Sequence, residues 1–185
     1  NNREYIIYVP QTYSPSVSTP LLFAFHGGSG FAHDFMNYEA DFRSVSDTAG
    51  FILVYPQALA DPNDGNSTNW IHKEPTTHND ILFVETLINT ISSSYNVDMN
   101  RIYACGYSLG GMFTYDLACQ LNSKISAVAS VAGGAFIGAF NNCNLTHPTA
   151  VLTINGTIDG THPYSGLNGV CLLYTSPSPR DSVGS

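Results

Sequence analysis

The stretch that decides the fold is Arg101-Ile102-Tyr103-Ala104-Cys105-Gly106-Tyr107-Ser108-Leu109-Gly110-Gly111-Met112. Its first five residues are rich in β-branched and aromatic side chains and read as a strand, and Leu109 to Leu121 reads as a helix. Between them Gly106-Tyr107-Ser108-Leu109-Gly110 is a G-x-S-x-G pentapeptide, and its flanks give it meaning. A serine on a tight strand-to-helix turn needs small residues two before and two after it, and its hydroxyl then projects at the carboxyl edge of a sheet. The other reading is a glycine-rich turn with an incidental serine. The presence of both flanking elements favours the nucleophile elbow, with Ser108 as nucleophile.

Working outward, Leu21-Leu22-Phe23-Ala24-Phe25 is a continuous apolar run ending in His26-Gly27-Gly28-Ser29-Gly30, and Phe51 to Tyr55 is another ending in Pro56. Runs without alternation suit strands buried on both faces. Glu4 to Pro10 reads as an earlier strand. Ile81, Val84, Leu87, Ile88, Ile91 and Tyr95 recur at helical spacing after Asn79-Asp80, which can cap the first turn. Ile125 to Val131 and Ala150 to Ile154 read as further strands. Alternating strands and helices predict an α/β fold with a mostly parallel sheet and helices on both faces. The aperiodic, polar stretch from Gln57 to His78 is long for a connecting loop, which suggests a functional one.

Composition narrows the class. Of 185 residues, six are Lys or Arg and fourteen Asp or Glu, a net charge of −8. Six dispersed cations cannot form a footprint for phosphate backbones, so neither nucleic acid nor an anionic membrane is an expected partner. No run approaches the roughly 18 apolar residues of a membrane helix. The chain starts without Met in a strand already under way, so upstream sequence is expected. Residues 171–185, from Cys171-Leu172-Leu173-Tyr174, read as one frame of a sequencing-library adapter, which predicts one domain over 1–170 that stops before its last strand and helix. The other reading is a natural Ser/Pro-rich tail. Setting Cys171 aside leaves Cys105, Cys119 and Cys143, an odd number that yields no disulfide framework. Sequons occur at Asn66, Asn144 and Asn155 and carry little weight alone.

A serine nucleophile needs donors for the developing oxyanion, a base, and an acid that orients the base. Leu109 N–H, the first amide of the helix, is one candidate donor. The other comes from the glycine loop: Gly28 first and Ser29 as second choice, since glycines let amides approach the substrate closely. A phosphate-cradling loop would require Gly-Lys-Ser/Thr, which is missing. His26 reads as a brace for the loop. In the order serine, acid, histidine, Asp159 follows the last strand and is the expected acid; Asp80 reads as a helix cap, and Asp116 lies within the helix after the elbow. His162 follows Asp159 too closely to come after another strand, so the base is expected past Val170. His72, Glu74 and His78 match no reliable zinc spacing, and no metal or organic cofactor is expected.

On these segments, together with Ala49-Gly50, Asn69-Trp70, Tyr95-Asn96-Val97-Asp98 and Asn155-Gly156-Thr157 to Pro163-Tyr164, the chain resembles the polyhydroxybutyrate depolymerase and feruloyl esterase type of secreted α/β-hydrolase over residues 3 to 169. The resemblance implies an α/β-hydrolase fold, an extracellular location, Ser108 and Asp159 in the triad, and Asn69 and Trp70 near the substrate cleft. It implies a serine carboxylesterase for feruloyl or acetyl esters of plant-wall polysaccharide, or for short-chain polyester, working through an acyl-enzyme. Its histidine would fall beyond Val170, so this stretch alone is expected to turn over little. Alternatives are a serine peptidase or thioesterase on the same fold, and a non-catalytic binding protein.

Overall fold

A computed structural model describes residues 2–70, 79–136, 143, 145–163 and 170–171. Strands β1 (Tyr5–Tyr8), β2 (Thr19–Phe25), β3 (Ile52–Pro56), β6 (Val97–Tyr107), β7 (Ala127–Val131) and β9 (Ala150–Ile154) form a six-stranded sheet in the order β1-β3-β2-β6-β7-β9. β1 runs antiparallel to β3, and the other pairings are parallel. Two short antiparallel pairs lie outside it: β4 (Ala60–Asp61) with β5 (Ser67–Thr68), and β8 (Ala135–Phe136) with β10 (Val170–Cys171).

The apolar runs become the middle of the sheet because both of their faces are covered. Leu21, Phe23, Phe25, Ile52 and Val54 point toward α3 (Asp80–Ser94) and α4 (Leu109–Gln120), where they meet Val84, Ile88, Phe113 and Leu117. Their neighbours Ala24, Leu53 and Tyr55 face the other way, against Ala32 of α1 (Ala32–Asp34), Phe35 of the π-turn Phe35–Glu39, and Phe42 ahead of α2 (Arg43–Ala49). Helices on both faces thus match the expectation. Each fully buried large side chain contributes roughly 1.5–3 kcal/mol of transfer free energy.

The readings of several residues change. Asn79, not Asp80, caps α3: its side chain accepts from Leu82 N–H at 2.9 Å. Asp80 is fully buried and pairs with Arg3 at 2.6 Å, and the Arg3 guanidinium sits 4.0 Å above the Phe83 ring. The aperiodic segment contains the β4–β5 hairpin and a 3₁₀ turn at Pro62–Asp64; His72, Glu74 and His78 lie outside the described residues. Cys119, at the end of α4, forms a disulfide with Cys143, and Cys105 is free, with burial pushing its thiol up to about 12. Of the sequons, Asn66 is exposed in the β4–β5 turn, the amide atoms of Asn155 are buried, and Asn144 lies outside the described residues. Among the described residues no helix is long and apolar enough to cross a membrane.

Candidate active site

β6 ends at Tyr107 and α4 starts at Leu109, leaving Ser108 alone on the turn at φ 51°, ψ −118°. A non-glycine residue there is strained by about 1–3 kcal/mol, and the neighbouring bonds hold it: Ser108 N–H donates to Val131 O at 2.9 Å, and Met112 N–H to Ser108 O at 2.9 Å. The turn closes because its glycines carry no side chains. A methyl on Gly110 would fall on the Phe25 and His26 carbonyls, and one on Gly106 would fall on the Gly110 backbone. Beneath the turn, a methyl on Gly133 would lie 2.7 Å from Ser108 O. The two flanking glycines of the pentapeptide therefore do what the sequence reading required of them.

The His26–Gly30 loop lies against this elbow. A methyl on Gly27 would stand 3.5 Å from Ser108 Cβ, and one on Gly28 would overlap the Leu109 side chain. Among the described residues neither Gly28 N–H nor Leu109 N–H is spent in a hydrogen bond, so both remain able to donate. Ser29 N–H is committed: it donates to Thr68 O at 2.8 Å, which removes the second-choice donor. The loop is tied down from several sides. Trp70 Nε1–H donates to His26 O at 2.8 Å, Thr68 Oγ1 to Gly30 O at 2.7 Å, and Gly30 N–H to Gly27 O at 3.1 Å.

His26 is 1% exposed and braces the loop, as its position in the sequence suggested. Its Nδ1 is 2.7 Å from Gly27 O, and its Nε2 accepts from Ala58 N–H at 3.1 Å. Burial lowers its pKa and so favours the neutral ring. Asn69 and Trp70 stand behind the loop, 4% and 2% exposed. The Trp70 indole stacks on Phe113 of α4 at 5.2 Å and meets Phe25 edge-on at 5.0 Å, and Asn69 Nδ2 donates to Asp64 at 2.6 Å.

Asp159 lies in a turn beyond β9, which β7 separates from β6. With strand spacings near 4.8 Å, the ends of β6 and β9 are about 10 Å apart along the same sheet edge. Its Oδ1 accepts from His162 N–H at 2.9 Å and Thr161 N–H at 2.8 Å, and these amides hold the carboxyl below its ordinary range. His162 thus meets Asp159 through its backbone. No described histidine ring is hydrogen-bonded to Asp159: the His33 ring pairs with Asp34, and His147 Nδ1 lies 3.0 Å from Thr146 Oγ1. A cavity of about 630 Å³ adjoins the elbow, lined by Phe35, Phe42, Cys105, Tyr107 and Val131 among others; Ser108 is not on its wall. Among the described residues no group of three or more His, Cys, Asp or Glu could hold a metal ion.

Gln57 and Thr68 lie in the Gln57–His78 stretch read as functional, but sequence reading did not single out either as a loop-binding residue. The one available signal for Gln57 was its place at the end of the strand beside the one leading into the glycine loop.

No family model matches the chain. It is similar to a bifunctional acetylxylan esterase/xylanase of Neocallimastix patriciarum, 29% identical over 184 residues that make up 97% of this chain and 25% of that one. It is also similar to feruloyl esterase C of Emericella nidulans, 28% identical over 182 residues, 95% of this chain and 61% of that one. Among solved structures, an acetyl xylan esterase from Aspergillus awamori superposes with a TM-score of 0.57 at 19% identity, over 80% of this chain and 52% of that one. The chain therefore spans between a quarter and about three fifths of these relatives. The fold is the α/β-hydrolase fold.

Proposed function

We propose that the chain carries the nucleophile half of a serine carboxylesterase that hydrolyses feruloyl or acetyl esters of plant-wall polysaccharide. The strained Ser108, with two uncommitted amides beside it, carries this reading. Ser108 Oγ attacks the ester carbonyl while its proton passes to an imidazole base. The oxyanion takes hydrogen bonds from Gly28 N–H and Leu109 N–H. The alcohol leaves with that proton, and water then releases the acid from the acyl-enzyme. Asp159 orients the base: amides occupy its Oδ1, while Oδ2 takes no described hydrogen bond. The feruloyl and acetyl esters follow from the names of the relatives. The Cys119–Cys143 disulfide suits a secreted protein.

The test is acylation. Incubation with p-nitrophenyl acetate or methyl ferulate should add the acyl mass to the peptide carrying Ser108, and Ser108→Ala should abolish both the adduct and any hydrolysis. Hydrolysis that persists in Ser108→Ala would overturn the serine mechanism. Release of hydroxybutyrate from polyester, with no action on the wall esters, would overturn the substrate class.

A further inference from the structure

We propose that Gln57 is a positioning residue for the oxyanion loop, acting through the His26 ring and the Gly30 carbonyl. The kinetic part of this inference rests on the esterase reading above; the hydrogen-bond part does not. Gln57 follows the last residue of β3, directly beside the end of β2, and its carboxamide binds backbone on three segments. Oε1 accepts from Ala32 N–H at 2.7 Å. A backbone N–H can only donate, so this bond fixes which end of the carboxamide is oxygen. The –NH₂ end is then turned toward Ala58 O at 3.1 Å, His26 Nε2 at 3.3 Å and Gly30 O at 3.4 Å.

The same logic fixes the histidine. Ala58 N–H also points at His26 Nε2, so that nitrogen faces two donors and must be the unprotonated one. The ring proton is therefore on Nδ1, where it donates to Gly27 O at 2.7 Å. That bond holds the carbonyl whose carbon is joined to Gly28 N, the proposed oxyanion donor. Gln57 thus fixes the orientation of the Gly28 amide without touching the substrate. It does so at both ends of the loop, through His26 at the start and the Gly30 carbonyl at the finish. A side chain that merely filled space would need none of this donor and acceptor order.

Gln57→Glu separates the two roles, because it keeps the shape and replaces a donor with an acceptor. In the parent, long-range ¹H–¹⁵N spectra of the imidazoles should show His26 as a single neutral Nδ1–H form. In Gln57→Glu the carboxylate faces Nε2, and the ring should become protonated on both nitrogens, with the Gly28 amide resonance moving. On p-nitrophenyl acetate kcat should fall on the order of 10²-fold with KM little changed, as expected for a misplaced oxyanion donor. A His26 ring still neutral on Nδ1–H with an unmoved Gly28 amide would overturn the proposal, and so would unchanged kcat. If Gln57→Glu does not fold, Gln57→Met is read through the Gly28 amide, because Ala58 N–H and Gly27 O still hold His26 in its Nδ1–H form: the Gly28 resonance should move, and an unmoved one would overturn the claim. If Ser108→Ala hydrolyses as well as the parent, the esterase reading falls, and the ring and Gly28 signals alone decide the role of Gln57. They also decide it if the ester is not turned over.

Discussion

Among the described residues, Asp116 is a carboxylate whose environment departs far from what its charge would want. It lies inside α4, 8% exposed, and no described hydrogen bond or ion pair serves its carboxyl; burial lifts its pKa to about 7. The folded state therefore holds a proton that the unfolded chain gives up near its ordinary value of 3.8. Linkage then makes this contribution most favourable below about pH 4 and erodes it as pH rises toward about 7, by up to about 4 kcal/mol. Asp116→Asn should flatten that slope and raise neutral-pH stability, as read from urea midpoints of parent and variant at pH 4.5 and 7.5. Asp159 behaves oppositely, since its backbone amides favour the carboxylate. Sequence reading placed Asp116 in the post-elbow helix, but its burial followed from packing that periodicity in so uniformly apolar a helix does not reveal. By contrast, the steric demand on Gly106 and Gly110 is local, so their role could be read from five letters.

At the scale of elements, strands with continuous apolar runs were legible and the short ones were not. β4 and β5 have two residues each, too few for any period, yet Thr68 of that hairpin holds the glycine loop. Helix α2 went unread, although Gly50 after it, at φ 70°, is the usual left-handed helix stop and was there to be used. β9 shows what alternation implies once the partners are known. Tyr115 Oη and Thr153 Oγ1 are 2.8 Å apart, which fixes Thr153 toward α4 and turns Leu152 and Ile154 to the opposite face. There they remain 56% and 51% exposed, beside exposed Val131 and Tyr107. A contiguous apolar surface of this kind promotes association. Leu152→Lys with Ile154→Lys should therefore reduce anilinonaphthalene sulfonate fluorescence and concentration-dependent light scattering, with little change in secondary structure.

Over the whole molecule, stability depends on ties between distant parts of the chain. Arg3 joins the segment ahead of β1 to the start of α3, and the disulfide ties the end of α4 to Cys143, a separation of 24 residues. Closing a loop of that length restricts the unfolded chain by roughly 3 kcal/mol. Reduction, or Cys119→Ser with Cys143→Ser, should lower the thermal midpoint by several degrees, and an unchanged midpoint would show the crosslink to be dispensable. This pairing was not legible beforehand, because counting cysteines gives parity and not proximity. The parallel sheet, the elbow and the glycine loop were legible because each is fixed by residues close in sequence, whereas the bonds of Gln57 and Thr68 span many residues. Trp70 gives the loop an optical consequence. It is the single tryptophan in 185 residues, and its indole is sealed among Phe25, Phe113 and the His26 ring while its N–H holds the His26 carbonyl. All indole emission thus originates directly behind the glycine loop. A red shift in that emission would signal that water has reached the underside of the site, even before the rest of the chain unfolds.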